Sequence, residues 1–145
     1  MKNIKFGLCI AVCATAALAH DGVKDPQVMA RMQVMSDISA QTKRLAGYAK
    51  GQTTFDAAQV RAIGLQLSAH ADASEALFKP PAKDPKSEAK DAIWSDWAGF
   101  LRANQKMREA AVAVSGSQTL PELDRAFREL GHSCTACHKT FRLAK

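Results

Sequence analysis

The stretch Cys134-Thr135-Ala136-Cys137-His138 lies near the C-terminus and has the pattern C-x-x-C-H, through which c-type haem is attached to proteins. Two thiols three residues apart can add to the two vinyl groups of one haem, and the histidine that follows can bind the iron through an imidazole nitrogen. On a helix, positions i, i+3 and i+4 share one face. The sequence therefore predicts one covalently bound haem c, held by Cys134 and Cys137, with His138 as the proximal iron ligand.

The first 19 residues have the three parts of a secretory signal peptide. Lys2 and Lys5 give a positively charged start, residues 6–18 are almost wholly apolar, and residues 17–19, Ala-Leu-Ala, form a cleavage site. The apolar run is shorter than the about 20 residues that a transmembrane helix needs. We therefore expect a signal peptide at 1–19 and a periplasmic location for the cleaved protein.

The mature chain, residues 20–145, has the length of one domain. Cleavage removes Cys9 and Cys13, so that the two cysteines of the haem motif are the ones that remain. A zinc site would need a second close pair of Cys or His. A thioredoxin-like C-x-x-C would need a preceding strand, whereas this region is predicted to be helical. Both alternatives fit the mature sequence less well than haem does.

The mature chain is mildly basic. Subtracting Lys2 and Lys5 from the 20 Lys and Arg leaves 18, against 14 Asp and Glu, for a net charge of +4. Without a patch that combines basic and aromatic side chains, this charge does not indicate nucleic-acid binding. The mature sequence has no further apolar segment of spanning length, so no membrane span is expected in it.

Four stretches with apolar residues at spacings of three and four predict four amphipathic helices. These run from 26 to 50, from about 54 to 78, from 93 to 116, and from 119 through the haem motif, with a surface loop at 79–90. Short connections favour antiparallel neighbours. The predicted fold is therefore all-α: an antiparallel four-helix bundle with covalently attached haem.

Capping residues and apolar spacing add detail to these helices. Three helix starts are predicted from pairs of capping residues: Asp25 with Pro26, Thr53 with Asp56, and Thr119 with Glu122. The inner face of the first helix is predicted to consist of seven residues: Val28, Met32, Met35, Ser39, Thr42, Ala46 and Ala49. The haem motif itself is predicted to lie on the buried face of the last helix.

With these helices placed, the chain resembles the cytochrome c' family, and within it the low-spin, methionine-ligated members. The matching segments are the C-x-x-C-H motif followed by Phe141-Arg142, the pair Arg31-x-x-x-Met35, Phe55-Asp56-Ala57-Ala58, and Ile93-Trp94-Ser95-Asp96. The resemblance covers essentially the whole mature chain. It implies that the haem is attached to the last helix and that its other face meets the first helix.

The function that the resemblance implies depends on whether Met35 binds the haem iron. If Met35 is the distal iron ligand, both axial positions are filled and the protein is expected to carry single electrons. If it does not ligate, the iron is five-coordinate and open to nitric oxide or carbon monoxide. Met32 and His70 are weaker candidates for the distal ligand. An enzyme such as a peroxidase is not expected, because the first helix offers no acid or base beside Met35.

Further expectations concern the surroundings of the haem and the partners of the protein. Arg31 lies on the Met35 face and is predicted to contact a haem propionate, and Trp94 is predicted to lie at the haem edge or to seal the bundle end. Basic residues are concentrated between Arg125 and Lys145, which favours a redox partner with an acidic docking surface. The resemblance also allows a homodimer.

Overall fold

The structure, a computed structural model, describes residues 22–144 and contains five helices in this range: α1 Pro26–Ala49, α2 Ala57–Phe78, α3 Ala92–Ser95, α4 Trp97–Gly116 and α5 Leu120–Phe141. The four long helices form a four-helix bundle, and the all-α fold prediction is confirmed. The predicted signal peptide lies outside the described residues. None of the helices within 22–144 is both long enough and apolar enough to cross a bilayer.

Two of the predicted helix starts are confirmed by their hydrogen bonds. The Asp25 carboxylate accepts from the Val28 amide at 2.9 Å, with proline in the first turn of α1. Thr119 and Glu122 form a capping box at the start of α5, in which each side chain accepts from the other residue's backbone N–H. These contacts satisfy amides that the first helical turn leaves without a partner.

The predicted start of the second helix is wrong in detail. Asp56, and not Thr53, is the capping residue, and its carboxylate accepts from the amides of Ala58 and Gln59 at 2.9 and 3.1 Å. Thr53 is exposed in the turn between α1 and α2. Because Asp56 follows an extended segment and precedes the first amides without a partner, it is the better placed acceptor.

The predicted third helix is interrupted at Asp96, which separates α3 from α4. Asp96 has φ −125° and ψ 58°, and its carboxylate accepts from the Gly99 amide at 2.9 Å, so it caps a new helix instead of continuing the first. A Cβ on Gly99 would lie 2.0 Å from the Asp96 Oδ2 atom. The absence of a side chain at Gly99 therefore gives the cap its room.

The inner face of α1 is displaced from the one predicted. Of the seven predicted residues only Val28 is buried, and Ser39 is exposed. The larger of the two hydrophobic clusters, here called the main core, instead receives four other residues of α1: Val34, Ile38, Leu45 and Tyr48. Their larger apolar side chains remove more area from water than Ser39, Thr42 and the alanines would, so they decide which side of the helix faces inward.

The other long helices bury the faces that their spacing predicts. The main core combines Val60, Ile63 and Leu67 of α2 with the inner residues of α4 and α5. The α2 and α4 backbones approach closely at Gly64, where a Cβ would lie 2.5 Å from the Ser115 amide nitrogen. Around the bundle, α1 packs against α2, α2 against α4, α4 against α5, and α5 against α1.

A second hydrophobic cluster, the end cluster, closes the bundle where α2 and α5 end and α4 begins. It consists of Phe78, Ile93, Phe100 and Phe141. The centroid of the Phe100 ring lies 5.2 Å from that of Phe78 and 5.6 Å from that of Phe141, and the Phe100 and Phe141 rings meet edge-on. Aromatic pairs at these separations add to the stabilisation that burial provides. The end cluster thus fixes the last turn of α5.

Candidate haem site

Cys134, Cys137 and His138 lie on the last two turns of α5. Cys134 packs against the main core, and Cys137 packs against the end cluster. Both lie in half-buried positions. Burial raises the pKa of Cys134, and burial together with the neighbouring Cys134 raises the pKa of Cys137 to about 11. The two sulfurs lie one turn apart on one face of α5 and against apolar side chains, an arrangement that fits an apolar ring attached to this face.

The His138 side chain is exposed on the last turn of α5, next to Arg142. Partial desolvation of the ring lowers the pKa of His138, the Arg142 charge lowers this pKa further, and Glu88 opposes the shift. The neutral imidazole that these effects favour is the form that binds iron. His138 is therefore suited in position and in protonation to the predicted role of proximal ligand.

Helix α1 is the neighbour of α5 at the end of the bundle that carries the attachment motif. The α1–α5 pairing is the sparsest of the four pairings between neighbouring long helices. Met35 is half-buried, packs against both hydrophobic clusters, and shares the end cluster with Cys137. The structure thus brings the predicted distal residue and the attachment motif to the same end of the bundle. The residues present at this end fit a haem bound between α5 and α1.

The rival distal candidates lie elsewhere. Met32 is half-buried, but it does not belong to the residues packed against either cluster. His70 lies on α2 in an intermediate environment, and its carbonyl accepts from the Ser74 hydroxyl at 2.8 Å. Met35 is therefore better placed than Met32 or His70 to reach a group bound to α5.

Arg31 is only 3% exposed, and its guanidinium binds backbone carbonyls. Its Nε donates to the Leu77 carbonyl at 2.9 Å, its Nη1 to the Ala82 carbonyl at 3.2 Å, and its Nη2 to the Pro80 carbonyl. Burial lowers the pKa of Arg31, and Asp25 opposes this shift. An arginine has five N–H donors, and the three carbonyls use three of them. Two donors therefore remain for a haem propionate, and the contact between Arg31 and a propionate stays a prediction.

Trp94 binds the same end of α2. Its indole N–H donates to the Phe78 carbonyl at 2.8 Å. The Arg31 guanidinium carbon lies 5.2 Å from the centres of both the Trp94 and Phe78 rings, within the range of cation–π attraction. Trp94 also packs against the end cluster. The structure therefore places Trp94 in the seal of the bundle end, while its contact with a haem edge stays a prediction.

The sequence did not reveal the contact between the predicted loop and the haem helix. Arg142 Nε donates to Glu88 Oε2 at 2.7 Å, and Ala89 and Arg142 form a short antiparallel bridge. These residues are more than 50 positions apart and the loop has no hydrophobic periodicity, so spacing gave no signal. Only the opposite charges of Glu88 and Arg142 were available as a hint.

Comparison with known proteins decides the family. The sequence model of the family described as Cytochrome C' matches residues 26–142. A cytochrome c' from Alcaligenes xylosoxydans xylosoxydans is 31% identical over 118 residues, covering 79% of this chain and 91% of the relative. A cytochrome c-556 from Agrobacterium tumefaciens (strain II Chrys) is 33% identical over 121 residues, covering 82% of this chain and 98% of the relative. The chain belongs to the cytochrome c' family.

Solved structures agree with this assignment. A nitric oxide complex of a cytochrome c' variant from Alcaligenes xylosoxidans has a TM-score of 0.75 at 30% identity, covering 82% of this chain and 94% of that one. Cytochromes c' carry a single covalently attached c-type haem, so the predicted cofactor is confirmed. The narrower assignment to the low-spin, methionine-ligated branch is not supported, because the Alcaligenes relative and the solved structure are named cytochrome c'.

The buried contacts of Arg31 predict a large effect on stability. Arg31→Leu would leave the Leu77, Pro80 and Ala82 carbonyls without their donor, so we expect the free energy of unfolding in urea to fall by roughly 2–4 kcal/mol. The matched control is Arg102→Leu, because Arg102 is exposed on α4, and its effect should stay within about 0.5 kcal/mol. Equal effects of the two substitutions would show that Arg31 does not hold the end of α2.

Proposed function

We propose that this member of the cytochrome c' family binds nitric oxide or carbon monoxide on the side of its haem that faces α1. In this proposal Cys134 and Cys137 form the two thioethers and His138 is the proximal ligand. The observation that carries it is the arrangement of the attachment motif on α5 opposite α1 in a chain of this family. The solved relative in complex with nitric oxide supports the choice of ligand.

The haem supplies an iron atom that can bind a diatomic gas reversibly. The contribution of the chain is to hold the group and to control access to it. Thioethers from two consecutive turns of α5 would fix the haem plane to that helix, and the end cluster would exclude water from the apolar surroundings of Cys137. Met35 lies between the two clusters and would limit the space for a gas. We propose no catalytic step for this site.

Electron transfer is a second candidate function, and one observation favours it. Met35 brings a thioether sulfur to the end of the bundle that holds Cys137, and a sulfur bound as the sixth ligand would favour the ferrous form and raise the reduction potential. In that case the Met35 sulfur would compete with gases for the same position. The spin state of the oxidised wild-type protein separates the two functions, since ligation by Met35 would make it low-spin.

The acidic redox partner belongs with this second candidate. Lys90, Lys139 and Arg142 line a groove beside His138 and give it a positive rim. Arg142 is paired with Glu88 and Arg128 with Asp124, which reduces the net charge that the sequence suggested. Rates of electron transfer that fall with added salt would support an acidic docking surface, whereas rates indifferent to ionic strength would count against it.

We also propose that the protein is exported to the periplasm, in agreement with the predicted signal peptide at 1–19. The test is the intact mass of protein recovered from the periplasm. A mass equal to that of a polypeptide beginning at His20 plus one haem would support export and covalent attachment. A mass equal to that of a polypeptide beginning at Met1 would contradict cleavage of the signal peptide.

Met35 provides the sharpest test of the gas site. Met35→Leu keeps the volume and apolar character of the side chain, so its packing cost should stay below about 1.5 kcal/mol. In the proposed five-coordinate site the Met35 sulfur is not bound to the iron, so we expect carbon monoxide to associate with the reduced variant about as fast as with the wild type, as measured by flash photolysis. Faster association with the variant would show that the Met35 sulfur competes for the iron, as in the second candidate function.

The matched control is Met32→Leu, one turn earlier on α1 and outside both clusters. Its association rate should equal that of the wild type. Identical rates in all three proteins would support an open distal position, whereas a rate raised by Met35→Leu alone would contradict it. A larger effect of Met32→Leu would place the site on the wrong side of α1.

A further inference from the structure

A short segment of the loop crosses the end of the haem helix. Residues 88–90, here called the proximal strap, pair with residues 141–143 through two backbone hydrogen bonds. The Lys90 amide donates to the Phe141 carbonyl at 3.0 Å, and the Leu143 amide donates to the Glu88 carbonyl at 2.8 Å. The strap therefore has a fixed position relative to the last turn of α5.

The ion pair between Glu88 and Arg142 joins the strap to the residue one turn after His138. Arg142 Nε donates to Glu88 Oε2 at 2.7 Å, and the two side chains are only 37–39% exposed. The Arg142 amide also donates to the His138 carbonyl at 3.0 Å. Backbone and side-chain contacts together set where the Arg142 charge stands relative to the proximal residue.

The charges around His138 are mostly positive. Lys90, Lys139 and Arg142 line the same groove as His138, and the Lys90 ammonium donates to the Lys139 carbonyl at 3.2 Å. Glu88 brings a carboxylate into this basic surrounding. Since oxidised haem carries one more positive charge than reduced haem, a nearby carboxylate stabilises the oxidised form and a nearby guanidinium stabilises the reduced form.

We propose that Glu88 is a positioning residue for the proximal side of the haem: it holds the Arg142 guanidinium on the strap, and its carboxylate lowers the reduction potential by offsetting the Arg142 charge. The inference rests on the proposed role of His138 as proximal ligand. It does not depend on whether the distal side binds gas or Met35.

The experiment is a double-mutant cycle on the midpoint potential of the intact haem protein, measured by spectroelectrochemistry. We expect Glu88→Gln to shift the potential upward and Arg142→Gln to shift it downward. In the double variant the two shifts should not add, because each side chain holds the other in place. Asp124→Asn is the matched control, since Asp124 pairs with Arg128 on the same helix.

Asp124 lies 14 residues before His138, or about 21 Å along the helix, beyond the range of unscreened charge interactions. Its neutralisation should leave the potential unchanged. If Glu88→Gln changes the unfolding free energy but not the potential, the strap is only structural and the proposal is wrong. Equal shifts for Glu88→Gln and Asp124→Asn, or strictly additive shifts in the cycle, would also overturn it.

The outcome is separable from that of the proposed function. Haem that leaves the wild-type polypeptide in acid–acetone would contradict covalent attachment by Cys134 and Cys137 before the cycle begins. Failure of the reduced protein to bind carbon monoxide would contradict the gas site, but the four potentials would remain measurable. A cycle without coupling in a gas-binding protein would contradict the strap alone.

Discussion

The residues proposed to hold the haem lie on one face of one helix, and this constraint determines the rest of the proposed site. Cys134, Cys137 and His138 occupy positions i, i+3 and i+4 of α5, so a haem bound by them must lie along that face. Its other side must then be provided by a neighbouring helix. Since α5 packs densely against α4 and sparsely against α1, α1 is the helix that can border the haem.

Polar contacts at the bundle end keep α1 and its neighbours in register with this face. Arg31 reaches from α1 to three carbonyls in the last turn of α2 and just beyond it, and its guanidinium carbon lies 5.2 Å from the centres of the Phe78 and Trp94 rings. Because Met35 is one turn further along α1, the same contacts set its position. On α5, the proximal strap has the corresponding role beside His138. The two sides of the proposed haem site are thus held by separate sets of long-range hydrogen bonds.

The haem helix and its motif could be predicted from the sequence, because attachment and helical spacing are both local properties. The capping box at Thr119 was predicted for the same reason. The prediction of the inner face of α1 was wrong, because Ser39 and the alanines fit the spacing but bury little apolar area compared with Val34 and Ile38. The break at Asp96 depends on a cap that competes with helix continuation, and the partners of Arg31 and Arg142 are distant in sequence. Hydrophobic periodicity carries no information on such contacts.

The most direct test of the central claim is a titration of the reduced wild-type protein with carbon monoxide, followed by visible absorption. We expect the spectrum to change to that of a carbon monoxide complex and the change to saturate at one gas molecule per haem. A reduced spectrum that stays unchanged at saturating carbon monoxide would contradict the gas-binding function. Combined with a low-spin oxidised protein, it would indicate that a side chain, for which Met35 is the best placed candidate, occupies the site as a permanent ligand.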